Sequence, residues 1–175
     1  TLFQSGTSIV KLVADADDKL PQITFWLMGT FANITMGDFL LVIFPMLLGF
    51  AILMTQRWNL NVLSFGEEEA RTLGINTART RFLVILAATL ITACAVSICG
   101  IIGYVGLVVP HLARAVVGPN YRVLLPTSMI IGSVFLLVVD NFSRLLFATE
   151  VPIGILTSII GVPFFVFIYR RNLRG

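Results

Sequence analysis

Charge is what this chain of 175 residues lacks. Asp, Glu, Lys and Arg make up 12% of it, against about 25% in an ordinary soluble domain. From Phe82 to Ala113 there is none of them, and Phe39–Thr55, Val123–Val139 and Val151–Tyr169 are nearly as clean. Such runs exclude a soluble domain, because four or five spans of roughly 20 residues use up most of the length. Histidine is almost absent too. With His111 alone, and no Cys or carboxylate near it in sequence, neither a histidine-based catalytic group nor a metal site is indicated. Cys94 and Cys99 fall inside apolar sequence without CxxC spacing and read as small buried hydrophobes. No Walker-type glycine-rich loop is present, so energy for any transport has to come from another subunit. The small net charge of +3, with arginines at span edges, is a topology signal and no nucleic-acid footprint. The first residues carry no basic n-region of a secretory leader. Transport, signalling and anchoring remain as function classes.

What is there can be laid out along the chain. Leu2–Val13 reads as the tail of a span, and residues 14–22 as a polar turn. Ile23–Phe31 is apolar but short, an interfacial or re-entrant piece with Trp26 at headgroup level. Phe39–Thr55 is a span kinked at Pro45, ended by Gln56, Arg57 and Trp58. Residues 59–78 are the longest polar interruption between clear spans. Within them Ser64 and Glu67 have capping-box spacing, Glu67, Glu68 and Glu69 suit a helix N-terminus, and Gly74 suits a left-handed C-cap. The spacing predicts a two-turn helix over Phe65–Leu73 outside the lipid, with Asn76 capping the next helix.

Phe82–Val117 poses the topology question. As one helix it would be about 54 Å long, far beyond the roughly 30 Å hydrocarbon core. Two spans with a break near Gly100–Gly103 fit better, the second bent at Pro110. Arginine placement decides the matter. With a hairpin, Arg57, Arg71, Arg79, Arg81, Arg114, Arg122, Arg170, Arg171 and Arg174 share one side and Arg144 alone lies opposite; with a single span the split is five to five. The positive-inside rule favours the hairpin and makes the Glu-rich helix and the C-terminus cytoplasmic. Val123–Val139 follows with Pro126 in its first turn, then Asp140 and Arg144 spaced to pair, a short external turn at 145–150, and a last helix from Pro152 to Tyr169 anchored by Arg170 and Arg171.

The residues leave two roles open at each candidate site. Ala87, Ala88, Ala93, Ala95, Ser97, Gly100, Gly103 and Gly106 suit either ordinary bundle packing or a helix pair lining a translocation path. His111 is either a satisfied polar group or part of a gate. The helix Phe65–Leu73 is too short to stand alone; it packs on the chain's own helix ends or on a cytoplasmic partner.

Three stretches now carry a resemblance: LSFGEEEARTLGIN at Leu63–Asn76, GIIGYVGLVVPHLAR at Gly100–Arg114, and VPIGILTSIIGVPFFVFIYRR at Val151–Arg171. They resemble the permease subunits of bacterial ABC importers for iron-siderophores, haem and cobalamin, the FecCD/BtuC-like family. ITFWLMGTF at Ile23–Phe31 is similar to the segment before that family's sixth helix. The resemblance implies an all-α, polytopic membrane bundle of the type II importer permease fold, with residues 1–175 as the C-terminal half: about five to six of ten helices. Helix six would run Asp38–Gln56, seven Thr80–Ile98, eight Ile101–Val117, nine Val123–Asn141 and ten Pro152–Tyr169. It implies a subunit that is no enzyme itself and sits in the inner membrane. Its partners would be a second permease subunit, two cytoplasmic ATPase subunits holding ATP and Mg, and an extracytoplasmic substrate-binding protein. Residues 63–75 would be the coupling segment, with Ser64, Glu67, Glu68, Ala70, Leu73 and Gly74 as contacts. Gly100, Gly103, Gly106, Pro110 and His111 are the candidate pathway or gate. The competing classes are an ion-coupled secondary transporter, which needs an ionisable group at midplane, and a non-transporting scaffold.

Overall fold

The computed structural model describes residues 1–32, 34–146 and 151–172. Among them every element is a helix: α1 (Leu2–Val13), α2 (Lys19–Leu27), α3 (Met36–Leu63), α4 (Glu67–Thr72), α5 (Thr77–Cys99), α6 (Val105–Val117), α7 (Tyr121–Leu146) and α8 (Ile153–Asn172). α3, α5 and α7 are long and apolar enough to cross a membrane, yet only 11% of each apolar window is buried inside the bundle. Their remaining apolar surface faces outward, which is stable against lipid and not against water. α5 packs along α3, α7 lies against α3 and α6, and α8 against α6 and α7. No buried side-chain nitrogen or oxygen among the described residues lacks a hydrogen-bond partner, as a low-dielectric surrounding demands.

Several expectations need correction. α3 does not stop at Gln56–Trp58 but continues to Leu63, for 28 residues. The polar residues of the extra turns have partners: Asn59 donates to Gln56 Oε1 at 2.8 Å and to Thr80 Oγ1 at 3.4 Å, and Asn61 donates to Asn120 Oδ1 at 2.8 Å. A capping box is present, but at Thr35–Asp38 opening α3: Asp38 N–H donates to Thr35 Oγ1 at 3.2 Å and Thr35 N–H to Asp38 Oδ2 at 3.0 Å. Ser64 instead closes α3, its hydroxyl donating back to the Asn61 carbonyl at 2.6 Å. α2 begins at Lys19, inside the expected polar turn, and Trp26 bridges to α5 by donating from Nε1 to the Ser97 carbonyl at 3.3 Å. Pro126 sits in the second turn of α7, not the first. The helix expected from Ile101 starts only at Val105, and its 13 residues reach about 20 Å. The non-helical stretch before it lies against α2 and α8, where irregular backbone at membrane depth is tolerated. Of the expected turn at 145–150, residues 147–150 lie outside the described residues, as do the Arg171 side chain and Arg174.

The hairpin itself is present. α5 and α6 are separate helices, and Asn61 at the end of α3 receives the Tyr121 N–H at 2.7 Å besides holding Asn120. Arg122 stacks 4.6 Å from the centre of the Trp58 ring. Asn59 at the same end of α3 reaches Thr80 in the first turn of α5. The start of α5 and the start of α7 therefore share one end of the bundle, as the arginine distribution requires.

Candidate functional site

At that end the chain leaves α3 through Ser64, Phe65 and Gly66 and forms the six-residue α4. Glu67, Glu68 and Glu69 fill its first turn, where unpaired N–H groups favour acids. Its C-terminus is a Schellman motif. Ile75 N–H donates to the Ala70 carbonyl at 3.0 Å, and Gly74 N–H to Arg71 O at 3.0 Å. Gly74 takes φ +77°, a left-handed value that a side chain resists. Asn76 then caps α5, accepting from Arg79 N–H at 3.0 Å. The left-handed cap and the Asn76 cap are as the sequence indicates; the helix is shorter than Phe65–Leu73.

Glu67 ties α4 to α5. Its Oε1 accepts from the Thr77 hydroxyl at 3.0 Å and from Arg71 at 3.3 Å, and its Oε2 from Arg81 at 3.3 Å. The Thr77 hydrogen bond above all, and then the Arg81 charge, hold the Glu67 carboxyl below its ordinary range, with Arg71 adding to this. Ala70 is fully buried against its own chain, so it seats α4 and does not offer the outward apolar contact expected of it. Phe65 and Leu73 are 78% and 69% exposed, and Ser64, Glu68 and Gly74 are exposed as well. Thr77 and Arg81 escaped the sequence reading, since nothing local marks a hydroxyl ten residues on as a carboxylate's partner.

The five candidate pathway residues do not form one group. Gly100 ends α5 with φ +70° and is buried, with the Trp26 carbonyl lying where a Cβ would project. Gly103 and Gly106 have open space at that position instead. They do not serve close helix contact within this chain. Gly103 borders a cleft of about 460 Å³ that is also lined by Leu27, Met28, Ile101, Ile155 and Ile159. Between Gly103 and α6 stands Tyr104, a non-glycine residue at φ 63°, the kind of local strain that persists only where surroundings enforce it. Gly161 of α8 packs directly on its Cβ. Pro110, one turn beyond Gly106, lacks the N–H that would bond the Gly106 carbonyl. His111 is exposed and meets Phe164 edge-on, ring centres 6.4 Å apart.

Apolar helices facing outward, a broken helix pair and a capped polar turn at one end define a multi-pass helical membrane protein of permease architecture. Residues 1–171 match the FecCD transport family, and the chain belongs to that family. It is 45% identical over 175 residues to the molybdate import system permease protein MolB of Haemophilus influenzae, covering 99% of this chain and 52% of that protein. It is 42% identical over 176 residues to the cobalamin import system permease protein BtuC of Halobacterium salinarum, covering 100% and 47%. A solved structure described as a metal-chelate type ABC transporter in an inward-facing conformation superposes with a TM-score of 0.89 at 45% identity, covering 97% of this chain and 55% of that one. The chain spans about half the length of the curated relatives it matches.

Proposed function

We propose that this chain is the C-terminal half of the permease subunit of an ATP-driven importer that moves an iron-siderophore or related metal chelate across the bacterial cytoplasmic membrane. Two such subunits form the pathway, two cytoplasmic ATPase subunits with ATP and Mg drive it, and an extracytoplasmic binding protein delivers the cargo. The chain itself hydrolyses nothing. The observation that carries this reading is α4. It is a short helix closed by a Schellman turn at the end where α3, α5 and α7 meet, with Glu68 exposed on it and Phe65 and Leu73 exposed beside it. A helix of six residues has no stability of its own, and large exposed apolar side chains outside the spans are surface that a partner covers.

In this reading residues 63–75, with α4 at their centre, dock on the ATPase and lie in the cytoplasm with the C-terminus. Leu73 and Phe65 enter its cleft, Glu68 pairs with basic groups there, Gly74 and Ser64 shape the turns, and Ala70 seats the helix. Gly103, Gly106, Pro110 and His111 border the moving part of the pathway, and Gly100 fixes its outer pivot. The test is assembly. In the full subunit, Glu68→Lys combined with Leu73→Asp should lose the ATPase partner on purification and lose ATP-dependent uptake. Retention of both overturns the docking role. Leu at Gly103 or Gly106 should impair uptake while the partner stays bound; unchanged uptake removes these residues from the gate.

The cargo has a second reading. The relative at 45% identity is named for molybdate import, so a small oxyanion competes with a bulky chelate. Uptake of labelled ferric siderophore, haem, cobalamin and molybdate by the intact complex with its binding protein separates them. Transport of molybdate alone overturns the chelate reading.

A further inference from the structure

Glu67 stands in the docking segment by sequence, yet its carboxylate is already bonded within the chain. Both oxygens are engaged inside the chain: Oε1 with Thr77 and Arg71, Oε2 with Arg81. Thr77 and Arg81 belong to the first two turns of α5, and the Thr77 side chain is buried. The link between α4 and α5 is closed twice more, by the Schellman turn at Gly74–Ile75 and by the Asn76 cap. Residues 73–76 are the only backbone between the two helices. The carboxylate spans them like a strut, fixing the angle between the two helices.

What lies beyond the strut matters as much. Of α3, α5, α6, α7 and α8, the other four each contain an internal proline, at Pro45, Pro110, Pro126 and Pro163. α5 contains neither proline nor glycine across its 23 residues. Prolines are where helices bend, so α5 is the stiff member, about 35 Å long. Its far end is also tied. The Cys99 carbonyl accepts from Thr30 N–H at 3.0 Å, the Ser97 carbonyl accepts from Trp26 Nε1 at 3.3 Å, and Gly100 packs on the Trp26 backbone.

We infer that Glu67 is a positioning residue that joins α4 and α5 into one lever, so that force on α4 moves the whole of α5 and the Gly100–Tyr104 break instead of bending the 73–76 turn. This rests on the reading of α4 as the docking segment. It separates two tasks in the same three-glutamate run: Glu68 faces the partner, and Glu67 transmits. Losing the strut leaves docking and ATP hydrolysis in place and lets the stroke dissipate in the turn.

The experiment uses the full transporter with its ATPase subunits in liposomes, and reads partner retention, ATP hydrolysis and uptake per ATP. Thr77→Val with Arg81→Gln should lower uptake per ATP about threefold to tenfold, with partner retention and hydrolysis within about twofold of wild type. Thr77→Ser and Arg81→Lys keep the donors to the Glu67 carboxylate and should restore uptake per ATP. Arg81 is exposed, so Arg81→Gln alone, expected to cost about twofold, decides the matter if the double variant does not fold. Unchanged uptake per ATP in these variants overturns the lever. So does a parallel fall in partner retention, which would mean that the network only holds the docking surface. Failure of the wild-type subunit to retain any ATPase would instead remove the docking reading on which the inference stands.

Discussion

The two ends of this bundle are held by opposite means. At one end, backbone lies on backbone: Gly100 meets the Trp26 carbonyl and Gly154 meets the Met28 carbonyl. At the other, side chains span gaps between helix ends: Glu67 to Thr77 and Arg81, Asn59 to Thr80, Asn61 to Asn120 and Tyr121. A glycine contact is all or nothing, since a single methyl group finds backbone that cannot yield. A polar bridge is graded, and each of its bonds weakens separately with substitution, salt or pH. The first suits a pivot and the second a joint whose stiffness is set by side chains.

The contrast is broken most severely at the glycine end. Gly100→Ala and Gly154→Ala each place a Cβ against a main-chain oxygen, and Gly100 adds a left-handed φ. Each should destabilise the full subunit by about 3 kcal/mol, read as a lowered unfolding midpoint in detergent. Gly103→Ala, with open space around its Cβ position, should stay within about 0.5 kcal/mol. Equal effects at Gly100 and Gly103 would dissolve the pivot.

The polar end should respond in smaller steps. Asn61→Ala removes the acceptor of the Tyr121 N–H and the donor to Asn120, a loss of about 2 kcal/mol. Asn120→Ala leaves the Tyr121 bond in place but removes the acceptor of both Asn61 and the Arg122 N–H, and should cost a similar amount. Gly74→Ala forces a side chain into the left-handed region for about 1 kcal/mol, and should leave the glycine end unaltered by hydrogen exchange.

The parts of this fold that were legible in the sequence are those written locally. Charge-free runs mark α3, α5 and α7, the glycine-rich stretch marks the α5–α6 break, and Gly74 and Asn76 carry their cap positions in their own chemistry. What escaped depends on partners distant in the chain. Asn59 and Asn61 look like the end of a span, yet α3 continues because Thr80, Asn120 and Tyr121 satisfy them. Ser64 and Glu67 have the spacing of a capping box, but Ser64 turns back to α3 and Glu67 finds a better donor in Thr77. Spacing fixes which residues can meet within a turn or two. It does not rank them against a hydroxyl that the tertiary fold brings up.

The smallest expected effect probes that ranking directly. Because the Glu67 carboxyl is held below its ordinary value in the folded chain, its ionised form contributes stability that is fully present above the ordinary glutamate pKa. That contribution disappears as pH falls through the lowered folded value. Glu67→Gln keeps an oxygen for Thr77 and deletes only the charge. The gap in unfolding midpoint between wild type and Glu67→Gln should therefore be open at neutral pH and close progressively in acid. High salt should narrow it only in part, because screening weakens the exposed Arg71 and Arg81 pairs while the Thr77 hydrogen bond to the ionised carboxylate persists. A gap that is the same in acid as at neutral pH would show that Glu67 acts by shape alone, and would remove charge from the account of how α4 and α5 are joined.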